Sequence, residues 1–175
     1  IALGRQDRVI VVGAEECAAE SILPFDAMRA LSTHADPDMA CRPFDQARDG
    51  FVVSGGAVAL VLERASLAKR APLARLLGWG QAADGHHVAS PHPEGIGIVT
   101  AMKRALQFAK VDEAAIDYVN AHATSTPAGD RAEALALRSV FGSASPAVVS
   151  TKGLTGHGLS LSGVLEAALT VLSLM

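Results

Sequence analysis

The order of apolar runs over residues 96–175 limits the fold more than anything else in the sequence. "IGIVTAMKRALQFAK" (96–110) carries apolar residues at helical spacing, and "IDYVNAH" (116–122) is a short run of the buried-strand type. A helical pattern at "DRAEALALRSVFG" (130–142), a strand pattern at "AVVST" (147–151) and a helix at "GLSLSGVLEAALTVLSLM" (158–175) follow. Strands alternating with helices predict parallel βαβ units in an α/β fold. The last helix is apolar on nearly every face, which predicts burial rather than a place at the surface.

Upstream, "DRVIVVGAEE" (7–16) predicts a buried strand and "PFDAMRALST" (24–33) a short helix, followed by a turn-rich loop over 34–50. "FVVSGGAVALVLE" (51–63) reads as a strand whose central glycines let another backbone or a ligand come close. A small helix is predicted at "RASLAKRA" (64–71) and a strand at "LARLLGWGQAAD" (73–84). The weakest join lies near 64–72 and divides the chain into 1–64 and 72–175.

Composition then excludes whole classes of function. Half of the 175 residues are hydrophobic and 19% are charged, below the usual quarter, with a mean hydropathy of +0.29. That is more apolar than a free-standing domain of this size needs. The chain starts at Ile1 and stops at Met175 inside an apolar run, which suggests a fragment. Net charge is −3 with no basic stripe, so neither a nucleic-acid groove nor a polybasic membrane anchor is expected. No apolar run reaches the length of a membrane span, and no signal peptide opens the chain. Cys17 and Cys41 form neither a spaced metal pair nor a disulfide framework, so a reducing cytosol is the expected compartment.

Two polar islands interrupt the apolar pattern. "HATST" follows a predicted strand; if the chain stays extended, His122, Thr124 and Thr126 project on one side, at the strand end where open α/β sheets bind ligands. An ordinary turn with satisfied hydroxyls reads about equally well from this island alone. "STKGLTGH" ends the next strand and sets His157 at or just before the final helix, whose dipole disfavours imidazolium. Lys152 is not expected to be buried alone, and Glu166 is a plausible partner, although such a pair is more often structural. Two neutral histidine donors converging on one point would make an oxyanion site. Weaker signals are Ser66-Leu-Ala-Lys69, a chance S-x-x-K, and His86, His87 and His92, which lack a recognised metal spacing and predict no metal site.

Three stretches together resemble the β-ketoacyl-acyl carrier protein synthases, condensing enzymes of the thiolase-like superfamily. They are "RPFDQARDGFVVSGGAVALVLE" (42–63), "YVNAHATSTPAGDRAEALALRSVFG" (118–142) and "STKGLTGHGLSLSGVLEA" (150–167). The resemblance covers the whole chain, and "GAEE…PFDAMRALST" (13–33) is more similar to elongating synthases of bacterial fatty-acid synthesis than to modular polyketide synthases. It implies a layered αβαβα fold, incomplete here, with the end of an N-terminal half over 1–64 and most of a C-terminal half over 72–175. It implies decarboxylative Claisen condensation of an acyl-enzyme with malonyl-acyl carrier protein, the substrates riding on 4'-phosphopantetheine and no other cofactor taking part. By the same resemblance His122 and His157 match the histidines that polarise the malonyl thioester, Lys152 the lysine that orients the second histidine, and Glu166 its partner. Thr124 and Thr126 match positions that bind the pantetheine arm, and Phe51 one that lines the acyl pocket. A homodimer through the strand near Val9–Val12 is implied as well.

Departures from the family pattern are equally specific. The nucleophile's A-C-[AS] turn and the C-terminal G-F-G-G-T-N loop are absent, Cys17 and Cys41 match neither, and Ala123 stands where glycine is commoner. The fragment alone is expected to be inactive. The competing readings are a non-catalytic partner resembling a chain-length factor, a non-decarboxylating thiolase relative and, more distantly, a hydrolase built on the 86–92 histidines. Retained His122, Lys152 and His157 weigh against the first of these.

Overall fold

A computed structural model describes residues 1–142 and 146–175. Its elements are β1 (Arg8–Glu15), α1 (Ala19–Ala27), β2 (Gly56–Glu63), α2 (Ile96–Ala109), β3 (Tyr118–Asn120), α3 (Pro127–Phe141), β4 (Ala147–Val149), α4 (Lys152–Thr155) and α5 (Ser162–Ser173). The β3–α3–β4 unit is the parallel crossover that the alternation predicts, with Val119 opposite Val148. The N-terminal pair departs from it: β1 and β2 run antiparallel, from Arg8 opposite Glu63 to Glu15 opposite Gly56.

Each sheet is covered by a helix. Leu137, Val140 and Phe141 of α3 form the buried centre, packed against Val99 and Leu106 of α2 and Val119 of β3. Helix α5 crosses β1 at Gly13, where an added Cβ would stand 3.0 Å from Leu161 O and from the Val164 side chain. At the start of α2, Gly95 has φ +63° and lies under α3, where a Cβ would meet Ala132 O at 2.4 Å. Both its conformation and the space around it require glycine there.

Several sequence expectations shift. The first helix is α1 at Ala19–Ala27 rather than 24–33. Leu31 instead bridges Phe51, with Phe51 N donating to Ala30 O and Ser32 N to Phe51 O. Those tertiary hydrogen bonds outweigh a weak local helix preference. Residues 51–55 give only isolated bridges before β2 begins at Gly56, and the predicted helix at 64–71 is a 3-10 turn over Ala65–Leu67. Residues 73–84 join no ladder among the described residues; Gly78 and Gly80 instead lie directly on α2. The final helix, predicted buried, is mostly half-buried, with only Ser162 buried and Leu172 open to solvent.

The exposed surface explains these departures. The chain presents 11453 Å² for its 18.0 kDa, where a compact monomer of that mass presents about 8,000 Å². Ile10, Val12 and Val61 on the β1–β2 sheet, and Leu73, Leu76 and Trp79 in the unladdered segment, are exposed. An apolar strand pattern needs a ladder partner before it becomes a strand, and residues 73–84, although they lie against α2, have none among the described residues.

Candidate active site

The loop after β3 carries His122, and the turn after α4 carries His157; the fold brings their rings together. The centroids are 5.2 Å apart and the planes stand at 85°. His157 is fixed by its backbone, since its N donates to Val52 O at 2.8 Å and its carbonyl accepts from Ser54 N at 3.2 Å. The buried Phe51 ring meets the His157 ring edge-on at 5.0 Å, and Phe25 meets Phe51 at 5.2 Å.

Behind the rings, Lys152 is 1% exposed and its Nζ pairs with Glu166 Oε1, reaching from α4 to the second turn of α5. Burial, joined by the Lys152 charge, lowers the His122 pKa from 6.5 to about 4. His157 falls to about 4 as well, by burial first, then by His122 and Lys152. One side of His122 opens toward solvent, so its desolvation is the weaker of the two, but the adjacent ammonium acts in the same direction. Both rings are therefore neutral at pH 7. His157 lies just ahead of a 3-10 turn at Leu159–Leu161 that runs into α5, as expected, and burial is the largest cause of its neutrality.

The "HATST" segment does not stay extended. Ser125 is fully buried with φ +71°, and this turn brings Thr124 Oγ1 within 3.1 Å of Thr126 Oγ1. A serine in this left-handed region persists only when its surroundings fix it. Ser125 Oγ accepts from Arg42 N at 2.9 Å, while the Arg48 guanidinium donates to Thr126 O at 3.2 Å and Pro127 O at 2.7 Å. Asp130, 1% exposed, accepts from Phe44 N at 2.8 Å and lies 3.5 Å from Arg48 Nε. Burial raises the Asp130 pKa although these donors pull it down.

Sequence reasoning assigned no role to Glu133, the most informative residue in the loop's support. Its two carboxylate oxygens accept from His122 N at 2.8 Å and Ala123 N at 2.7 Å. Burial raises its pKa against the pull of these two donors. The legible signal was the spacing of Asp130 and Glu133, two acids in the first two turns of α3, beside a loop whose amides need acceptors. Ser150 ties the two islands together, donating to Ala123 O at 2.8 Å.

Other candidates remain apart. Cys17 is exposed, and burial raises the Cys41 thiol pKa, the opposite of what an activated nucleophile needs. His86 and His92 touch at 5.0 Å, with Asp84 accepting from both their backbone amides, but no three His, Cys, Asp or Glu side chains converge as a metal site among the described residues. No helix among the described residues is long and apolar enough to cross a membrane.

Two neutral imidazoles therefore lie together on the loops of an α/β fold, beside a buried lysine paired with a glutamate. The chain belongs to the β-ketoacyl synthase family: the model of the β-ketoacyl synthase C-terminal domain matches residues 73–175, and that of the N-terminal domain residues 1–68. It is 44% identical over 179 residues to 3-oxoacyl-[acyl-carrier-protein] synthase 1 of Escherichia coli, covering 99% of this chain and 43% of that protein. It is 41% identical to synthase 2 of Staphylococcus aureus, covering 98% of this chain and 44% of that protein. A solved β-ketoacyl synthase from Burkholderia phymatum superposes with a TM-score of 0.92 at 41% identity, over 98% of this chain and 42% of that one. A type II PKS acyl-carrier protein in complex with its ketosynthase gives 0.92 at 28% identity, over 98% and 44%. The chain thus spans less than half the length of the relatives it matches.

Proposed function

We propose that the protein containing this chain is a β-ketoacyl-acyl carrier protein synthase of fatty-acid biosynthesis. The observation that carries this reading is the neutral His122–His157 pair backed by buried Lys152. A malonyl thioester bound before the two rings loses its carboxylate as CO2; the electrons of the broken C–C bond pass into an enolate, whose oxygen accepts hydrogen bonds from both imidazoles. The enolate carbon then attacks the acyl thioester on a cysteine, and that cysteine leaves as thiolate. Neutral donors already in place stabilise the developing charge without reorganisation. The cysteine would come from residues outside this chain, because Cys17 and Cys41 match no nucleophile motif and burial raises the Cys41 thiol pKa.

In this reading the Thr124–Thr126 pair binds the pantetheine arm, Phe51 walls the acyl pocket, and the partner is acyl carrier protein. No cofactor is needed besides that arm. The exposed face of β1, with Ile10 and Val12, supports a homodimer contact near Val9–Val12, and the compartment is the cytoplasm.

The test is malonyl decarboxylation and acyl transfer, assayed separately on the full-length protein with His122→Ala and His157→Ala. Each substitution should cost about 2–4 kcal/mol in decarboxylation and far less in acyl transfer. Near wild-type decarboxylation in either variant would overturn the shared oxyanion role. Equal loss of both activities would mean a collapsed site.

A further inference from the structure

The second histidine has a partner that the proposed chemistry does not by itself require. His157 Nδ1 lies 2.9 Å from Ser162 Oγ, at the first residue of α5, and Ser162 is 5% exposed. Among the described residues, that ring nitrogen is the one hydrogen-bond partner of the hydroxyl. The hydrogen between them can belong to either atom. If the ring donates, the serine's own hydrogen is left in a buried pocket with no acceptor. If the serine donates, only oxygen lone pairs go unused. A buried donor without an acceptor is the costlier defect, because an oxygen tolerates an unused lone pair more readily.

The serine therefore donates to Nδ1, and a neutral ring must then carry its hydrogen on Nε2. That nitrogen is not buried without a partner and has no protein partner among the described residues, so it is left for solvent or a bound molecule. The Phe51 edge on one side and His122 on the other hold the ring plane while Ser162 sets the tautomer.

We infer that Ser162 is a positioning residue that fixes His157 in the Nε2–H form and so turns it into a hydrogen-bond donor toward the bound thioester. The catalytic consequence rests on the proposed function; the tautomer does not. The experiment uses full-length protein labelled at histidine, with Ser162→Ala and Ser162→Cys. Alanine is a good helix former and slightly smaller than serine, so α5 should fold unchanged.

The tautomer of His157 is read from its ring ¹⁵N and ¹³C resonances, and kcat and KM from malonyl-carrier-protein decarboxylation. Wild-type His157 should carry its hydrogen on Nε2. Ser162→Ala should populate the Nδ1–H form and lower kcat roughly threefold to tenfold, the worth of one neutral hydrogen bond, with KM unchanged. Ser162→Cys, a weaker donor of similar size, should fall between. A wild-type ring protonated at Nδ1, or a Ser162→Ala variant with unchanged tautomer and rate, would overturn the assignment. The tautomer shift in a protein with no decarboxylase activity would uphold Ser162 and refute the proposed function instead.

Discussion

Removing the carboxylate of Glu166 should harm the fold more than removing the ammonium of Lys152, although the two form one pair. The asymmetry follows from where each partner sits. The Lys152 side chain is 1% exposed, whereas 16% of the Glu166 side chain still meets solvent. In Glu166→Gln the ammonium stays buried without its anion, and breaking a buried pair this way costs about 3–5 kcal/mol. In Lys152→Met the chain length is kept and no charge is left buried; the partly exposed carboxylate recovers some hydration, so the loss should be about 1–3 kcal/mol. The double variant Lys152→Met/Glu166→Gln removes both charges and should be less damaged than Glu166→Gln alone. Denaturant unfolding of the full-length proteins, read as a double-mutant cycle, measures the difference. Equal losses in the two single variants, or a double variant worse than either, would refute the reasoning.

The same pair gives a second readout through the histidines. The Lys152 charge adds to burial in holding both rings near a pKa of about 4. In Lys152→Met burial remains and the charge goes, so both values rise toward 6.5 without reaching it. The acid limb of the decarboxylation profile should then move to higher pH, while in Glu166→Gln, where the ammonium stays, it should not.

Glu133→Gln keeps the shape of the side chain but replaces a charge-assisted grip on the His122 and Ala123 amides with one acceptor and a misplaced donor. Stability should fall by about 2–3 kcal/mol in denaturant unfolding, and decarboxylation should fall more than acyl transfer, because it is His122 that moves. For the two histidines, the folded pKa of about 4 lies below the unfolded 6.5, so between these values the unfolded chain binds more protons. Their contribution to stability should be intact above pH 6.5 and lost as pH falls toward 4; His157→Gln should flatten that slope, and His122→Gln should flatten it less because His122 is partly open to water.

Local periodicity made the C-terminal layers legible. The β3–α3–β4 crossover and α2 were readable because each is specified by residues a few positions apart. What failed depended on partners distant in sequence. Residues 73–84 have a strand's composition but no ladder among the described residues, and residues 30–32 leave a helical pattern because Phe51 hydrogen-bonds Ala30 and Ser32. In the site, the neutrality of His157 was readable, but its largest cause was not. A helix N-terminus can be seen in a sequence, whereas burial against Phe51 and the nearness of Lys152 arise only from the fold. Glu133 went unassigned for the same reason: its partners are backbone amides, which every residue carries and no motif displays.

The placement of the charges explains why an apolar chain keeps such polar islands. Five ionisable groups of the site's loops and helices each find a protein partner: Lys152 pairs with Glu166, Arg48 with Asp130, and Glu133 accepts from two amides. Their desolvation is offset by hydrogen bonds that also hold the loops, so the same interactions that make burial tolerable fix His122 and His157 in place. The front of the site is left with two neutral rings. In the proposed reaction, an anion forming there meets donors already held in place, with the Lys152 charge nearby. A site with its charges in front would bind the substrate's own carboxylate tightly and gain less as that carboxylate departs. Neutral donors gain most when charge moves onto the thioester oxygen, which is the difference between ground state and transition state that accelerates a decarboxylation.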